Sequence, residues 1–431
     1  MYYSILLALS IVFIYLSSKN NLFFKIPIYI SYVYSIIFFN VIGSYYVFYP
    51  EKSLVLVRKI FLTNSDHETT FFFILLIQLL SFFLFLPIHL NNTCMIKDKF
   101  FLSDKIFYRY IYSLSAISLI IILSFFYQSG IPPFFKSGFG EVSNNLIMAD
   151  RADFFQNINN FWVYSAGFYM IPTSLSILLF INYKIKKSNF DKIIFFVYFF
   201  IAAILSLSFL HKYPLIYLIT QLFFASIIFD QKINLYRVLY FGISCVTLIF
   251  LSYLLVLSAD YYAYDSGFIL TRIFQTIFQR VVVIYSLSLS VVPEIVHYNG
   301  FFQGSVGMIN PLGLLDIEQF NLQKELHLLM YGIPGNNPAP AIGYAYANFG
   351  YTGILSFVFL INILIYIYQS FCNRINNQHI SIFVTIFFMM KAINLSMTTV
   401  WDNLLNPQEL VTLTICLTIY FLILKVSRAQ A

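Results

Sequence analysis

Apolar stretches long enough to cross a bilayer recur from one end of the chain to the other, separated by short polar or Pro- and Gly-bearing breaks. Read as transmembrane helices, they fall near 2–17, 27–48, 70–90, 108–127, 161–182, 193–210, 214–229, 238–258, 342–368, 380–400 and 410–426, about 11 spans. The apolar part of 268–293, "VVVIYSLSLSVV", is too short to cross, so that segment is left out of the count. The opening "MYYSILLALSIVFIYL" has no basic residue before its apolar run and no small-residue cleavage site after it. It is expected to stay as the first span and not to act as a secretory signal.

Composition narrows the class. With 60% hydrophobic and 10% charged residues, 51 Phe and 34 Tyr, the expected fold is an all-α polytopic membrane protein, with residues 1–431 as a single transmembrane domain. The formal charge of +7 bears on topology, because no cluster resembles a nucleic-acid patch. With the N-terminus outside, 15 of the 25 basic residues fall in alternate loops and the tail, including Lys184, Lys186, Lys187, Lys192, Lys425 and Arg428. The opposite loops hold 9, Lys391 sits inside a span, and 14 of the 18 acidic residues are also on the opposite side. This bias predicts an outward-facing N-terminus and a cytoplasmic C-terminus. The long loops 128–160 and 259–341 then face outward, the latter between spans 8 and 9, so the working surface is expected there. The four cysteines have no metal-ligand spacing and are expected to be free thiols. There is no Gly-rich phosphate loop and no solenoid repeat.

The candidate chemistry begins with "TRIFQTIFQR", residues 271–280. On a helical wheel Arg272, Gln275, Thr276, Gln279 and Arg280 share an arc of roughly 140°, opposite Ile273, Phe274, Ile277, Phe278, Val281 and Ile284. Such a helix lies at an interface, its apolar side in lipid or on the bundle. Its two guanidinium groups suit a diphosphate by bidentate contact, and they also suit snorkelling to lipid headgroups. Lys212 lies in a short outer turn beside His211, and Arg151 lies between Asp150 and Asp153 ahead of the fifth span. Together with Arg272 and Arg280 these would make an outer cationic chamber, although local salt bridges account for Arg151 equally well.

Lys391 interrupts "FFMMKAINLSMTTVWDN", with Asn394, Thr398 and Asp402 near its face. A charge there costs about 3 kcal/mol on insertion scales, so this stripe is expected to face the bundle, as a polar site or a structural ion pair. Outer groups that could serve as a base are Asp150, Asp153, Asp260, Asp265, Glu294, Asp316, Glu318, Glu325 and His327. His327 stands out for its titration near neutrality and its short amphipathic turn, and Glu294 follows Pro293. Asp66 and Glu68, with one residue between them, have the spacing of a divalent-cation pair, but a cationic chamber could neutralise a leaving diphosphate without metal. No metal and no cofactor is expected.

One segment carries a family likeness. "PGNNPAPAIGYAYANFGYTGIL" (334–355) resembles the stretch in Wzy-type O-antigen polymerases where a small-residue loop leads into an aromatic-Asn-Phe-Gly turn and then a span. The span number, the late outer loop and the basic turn at Lys212 are similar to that family as well. The resemblance implies a GT-C-like, O-antigen ligase-like bundle. It implies a metal-independent glycosyltransferase of the bacterial inner membrane that joins undecaprenyl-diphosphate-linked repeat units at the periplasmic face. The partners implied are those lipid-linked glycans, membrane lipid and a chain-length regulator protein, with no nucleic acid. His327 or Glu294 would be the base, and Arg272, Arg280, Arg151 and Lys212 would hold the diphosphate. Some family members carry Arg, ten residues, then Gly in two outer loops; here Trp162 and Val283 stand eleven after Arg151 and Arg272. The alternatives are an O-antigen ligase and a flippase or transporter of lipid-linked oligosaccharide.

Overall fold

The computed structural model describes residues 1–49, 64–93, 100–130, 132, 161–208, 213–256, 271, 275, 278, 283–306, 320–332, 335–399, 403–404 and 406–429. Among these residues every regular element is a helix, and the only bridge pairs are Phe100 with Asn377 and Val306 with Phe320. Besides the single turn Leu22–Lys25, the helices are α1 (Tyr2–Lys19), α2 (Pro27–Phe48), α3 (His67–Leu90), α4 (Asp104–Ser129), α5 (Val163–Lys186), α6 (Asn189–Leu207), α7 (Tyr213–Asp230), α8 (Leu235–Val256), α9 (Ile284–Asn299), α10 (Leu322–Tyr331), α11 (Ala341–Arg374), α12 (Gln378–Met397) and α13 (Pro407–Ala429). Nine helices among the described residues, α1 to α6 and α11 to α13, are long and apolar enough to cross a membrane. The chain is an all-α polytopic membrane protein. The shorter apolar helix α7 and the 22-residue α8 fill the other two positions where hydropathy places spans.

The described cysteines Cys245, Cys372 and Cys416 are free thiols; Cys94 lies outside the described residues. The chain divides into two compact units. Unit 1 holds residues 1–95, 274–374 and 387–405, and unit 2 holds 96–273, 375–386 and 406–431.

Unit 1 is built on interrupted helices. α2 widens into a π-helix over Ile37–Ile42, and α3 does so over Leu80–Leu84. Such bulges misalign backbone carbonyls, and a side chain must answer them. At the first bulge the Ser286 hydroxyl of α9 lies 2.8 Å from the Phe39 carbonyl and 2.9 Å from that of Asn40. At the second, the Tyr29 hydroxyl donates to the Ser81 carbonyl. Hydrocarbon supplies no hydrophobic drive between helices, so contacts of this sort and close packing hold them together. Gln78 Nε2 on α3 donates to Ser10 Oγ on α1 at 2.8 Å, and His89 Nε2 meets Asn362 Oδ1 on α11 at 3.2 Å.

One polar network in unit 2 centres on Asp191. Ser188 caps α6, accepting from Asp191 N at 3.2 Å, which turns the Asp191 carboxylate inward, where it is 3% exposed. There it accepts from Asn182 Nδ2 at 2.6 Å and from the Tyr108 hydroxyl at 2.5 Å. Lys186 lies 3.9 Å from it and 2.8 Å from Asp104. Asn182 Oδ1 in turn meets His379 Nε2 at 3.3 Å, so one network ties α4, α5, α6 and the start of α12.

Candidate functional site

α9, α10 and the segment 339–347 share one core in unit 1, formed by Leu287, Val291 and Ile295, by Leu322, Leu326 and Met330, and by Ala339, Tyr344 and Ala347. α10 begins where the Asn321 side chain accepts from Lys324 N at 3.0 Å, and ends at Gly332 with φ 72°. This is the short amphipathic helix expected around His327. Its three buried side chains stabilise it by roughly 1.5–3 kcal/mol each if it lies in water rather than lipid.

The segment that carries the family likeness folds around this helix. Asn337 N donates to Gln323 O at 3.0 Å, and Gln323 Nε2 donates to the Tyr344 hydroxyl at 2.8 Å. His327 is half-buried, its ring 4.7 Å from that of Tyr331. It lies so close over Gly335 that a Cβ at that position would overlap the imidazole. The glycine of "PGNN" is thus explained by the histidine above it.

Downstream, Asn348 organises the turn after α9. Its Oδ1 accepts from Gly304 N at 2.8 Å and Val306 N at 3.2 Å, while its Nδ2 donates to Val306 O at 2.7 Å and Tyr344 O at 3.0 Å. The helix breaks immediately after it, at Phe349 (φ −139°, ψ 15°) and Gly350 (φ 63°, ψ −146°). Position 350 needs the left-handed backbone that glycine adopts without strain, and a Cβ there would also stand 3.1 Å from the Phe301 ring. The aromatic-Asn-Phe-Gly turn is therefore a hydrogen-bonded clamp followed by a break inside α11.

Of the expected site residues, the fold brings His327 on α10 and Glu294 on α9 to packed neighbouring helices, Glu294 half-buried beside Pro293 within α9. Arg151, Lys212, Arg272 and Arg280 lie outside the described residues. In the segment of the two arginines, Thr271, Gln275 and Phe278 are helical, and the Phe278 ring packs on Tyr46 at 5.3 Å, so that apolar residue sits on the bundle.

Lys391 is 3% exposed; its ammonium donates to Asn403 O, and Asn403 Nδ2 returns a bond to Lys391 O at 2.9 Å. Asn394 is half-buried, and its carbonyl accepts from Thr398 N at 2.9 Å. Glu68 Oε1 accepts from the Tyr2 hydroxyl at 3.0 Å; the Asp66 side chain and Asp402 are outside the described set. Among the described residues no three metal-ligating side chains converge.

Asn348 was not among the site residues expected from sequence, although an amide inside "GYAYANFG" is the signal that could have found it. Compared with protein-family models, with curated proteins and with solved structures, the chain matches none.

Proposed function

We propose that this protein is an inner-membrane glycosyltransferase that polymerises undecaprenyl-diphosphate-linked oligosaccharide repeat units at the periplasmic face, with a periplasmic N-terminus and a cytoplasmic C-terminus. The observation that supports this most is the folding of 335–350 onto α10, which puts the segment resembling Wzy-type polymerases against the half-buried imidazole of His327. In this reading a hydroxyl of the incoming unit attacks the anomeric carbon of the growing chain. His327 or Glu294 takes the hydroxyl proton, the bond from anomeric carbon to diphosphate oxygen breaks, and undecaprenyl diphosphate leaves with the electron pair. Arg272, Arg280, Arg151 and Lys212 hold that charge, and a chain-length regulator is the expected protein partner.

Losing one such cation removes about 3 kcal/mol of transition-state stabilisation, on the order of a hundredfold in rate. In a deletion strain complemented with Arg272→Ala, Arg280→Ala or His327→Ala at normal expression, the polymer ladder should collapse to single repeats on core. Full ladders from all three would overturn the assignment. A ligase defect would instead leave polymer on undecaprenyl diphosphate. The break at Phe349–Gly350 favours a second reading, since discontinuous helices are frequent in transporters. Extension of synthetic lipid-linked repeats by purified protein, with chelator present, separates an enzyme from a transporter.

A further inference from the structure

The turn between α5 and α6 treats its lysines in two ways. Lys184 pairs with Asp230 at 3.3 Å, and Lys186 pairs with Asp104 and Asp191. Lys187, in the turn, and Lys192, in the first turn of α6, are exposed, and among the described residues neither has an acidic partner. Asp191 is consumed by the inward network and the exposed Asp104 carboxylate is engaged by Lys186, so Lys187 and Lys192 present their charges outward.

Lys192 and Asn189 stand at one end of an open, shallow face of α6, and the rest of that face is Ile193, Phe196, Val197 and Phe200. These four are 43–64% exposed. From Lys192 to Phe200 the helix rises about 12 Å. Because α6 is long and apolar enough to cross a bilayer, its first turn falls where headgroups meet hydrocarbon.

We propose that this face of α6 binds one phospholipid with an anionic headgroup. The phosphate sits on Lys192 and Asn189 with Lys187 beside it, and an acyl chain lies along Ile193, Phe196, Val197 and Phe200. Charge decides the occupant. A second copy docking by the same face at the same membrane depth would set Lys187 and Lys192 against their own equivalents. An apolar helix of another protein would bury Lys192 without a counter-charge. A zwitterionic headgroup brings an amine to a surface that already carries two cations.

The proposal does not depend on the glycosyltransferase reading. It is tested by native mass spectrometry of the full chain in detergent, titrated with phosphatidylglycerol or with phosphatidylethanolamine of the same acyl composition. One phosphatidylglycerol per chain should be retained in preference. Each surface cation contributes about 1 kcal/mol to such binding, so Lys192→Gln should weaken retention about fivefold and Lys187→Gln with Lys192→Gln about 25-fold, with Lys192→Arg restoring it. Phe196→Ala should weaken both lipids alike. Equal retention of the two lipids, unchanged retention in the double variant, or a dimer of the chain in place of bound lipid would overturn the proposal.

Discussion

The two units each bury a histidine against an asparagine, yet they close the rest of the circuit differently. In unit 1, Asn362 spends its Nδ2 on Val358 O at 2.7 Å and turns its oxygen to His89. In unit 2, Asn182 spends its Nδ2 on the Asp191 carboxylate and turns its oxygen to His379. Either way the hydrogen-bond pattern assigns the proton to Nε2. Both rings leave Nδ1 buried with no partner among the described residues. Beyond the amide, the unit 1 circuit ends on a backbone carbonyl, whereas that of unit 2 continues into Asp191, Lys186 and Asp104. Both units contain π-helical widenings, over Ile37–Ile42 and Leu80–Leu84 in unit 1 and over Ala166–Met170 in unit 2, where Ser118 Oγ donates to Gly167 O at 2.8 Å; what differs is the group that takes the asparagine Nδ2, a backbone carbonyl in unit 1 and a carboxylate in unit 2.

If that contrast is right, the most costly single loss lies in unit 2. Asp191→Ala leaves Asn182 and Tyr108 without their acceptor and Lys186 with Asp104 alone. Because Lys186 is 23% exposed and can reach water, the expected cost is about 3–4 kcal/mol, toward the lower end for a broken buried pair. Thermal unfolding in detergent should show it as the largest drop among these variants. In unit 1 the counterpart is Asn348→Ala, which strips two N–H groups and two carbonyls of a neutral partner. These groups are buried but neutral, so no charge is stranded, and the expected cost is about 2–3 kcal/mol. A reversed order of the two would mean that the charged circuit is not what sets unit 2 apart.

How much of this was readable in the sequence follows from the same contrast. Hydropathy registers a side chain's transfer energy, so it found a helix at each of the eleven expected positions, and the charge bias singled out Lys391 within an apolar run. It could not show that Asp191 points inward, because the residues that hold it, Asn182 and Tyr108, are fixed by the packing of three helices. Hydropathy placed this span from 193, whereas α6 starts at Asn189 behind the Ser188 cap; the pattern Ser188-x-x-Asp191 marks that start but does not say where the carboxylate goes. Likewise Gly350 was visible inside a span, but the break at that point depends on Asn348 reaching a turn some forty residues away. The short helix bearing His327 was legible from its own periodicity. Its closure by Gly335 was not, since only a fold brings those two residues together.

The smallest stability effect is expected at Lys391, and it separates two roles that burial alone leaves equal. Lys391→Met removes a charge whose insertion costs about 3 kcal/mol, and it forfeits a charge-assisted bond to Asn403 O worth about 1.5–3 kcal/mol. The two nearly offset, so unfolding should stay within about 1.5 kcal/mol of the parent chain. Asp191→Ala, which strips Asn182 and Tyr108 of their acceptor and leaves Lys186 with Asp104 alone, has no such offset. If Lys391 is only a strut between α12 and Asn403, Lys391→Met should sustain polymer ladders at parental length. If the ammonium serves the reaction, ladders should be lost while the melting curve barely moves. A large destabilisation would contradict both roles, because it would mean that the bond to Asn403 O far outweighs the cost of burying the charge.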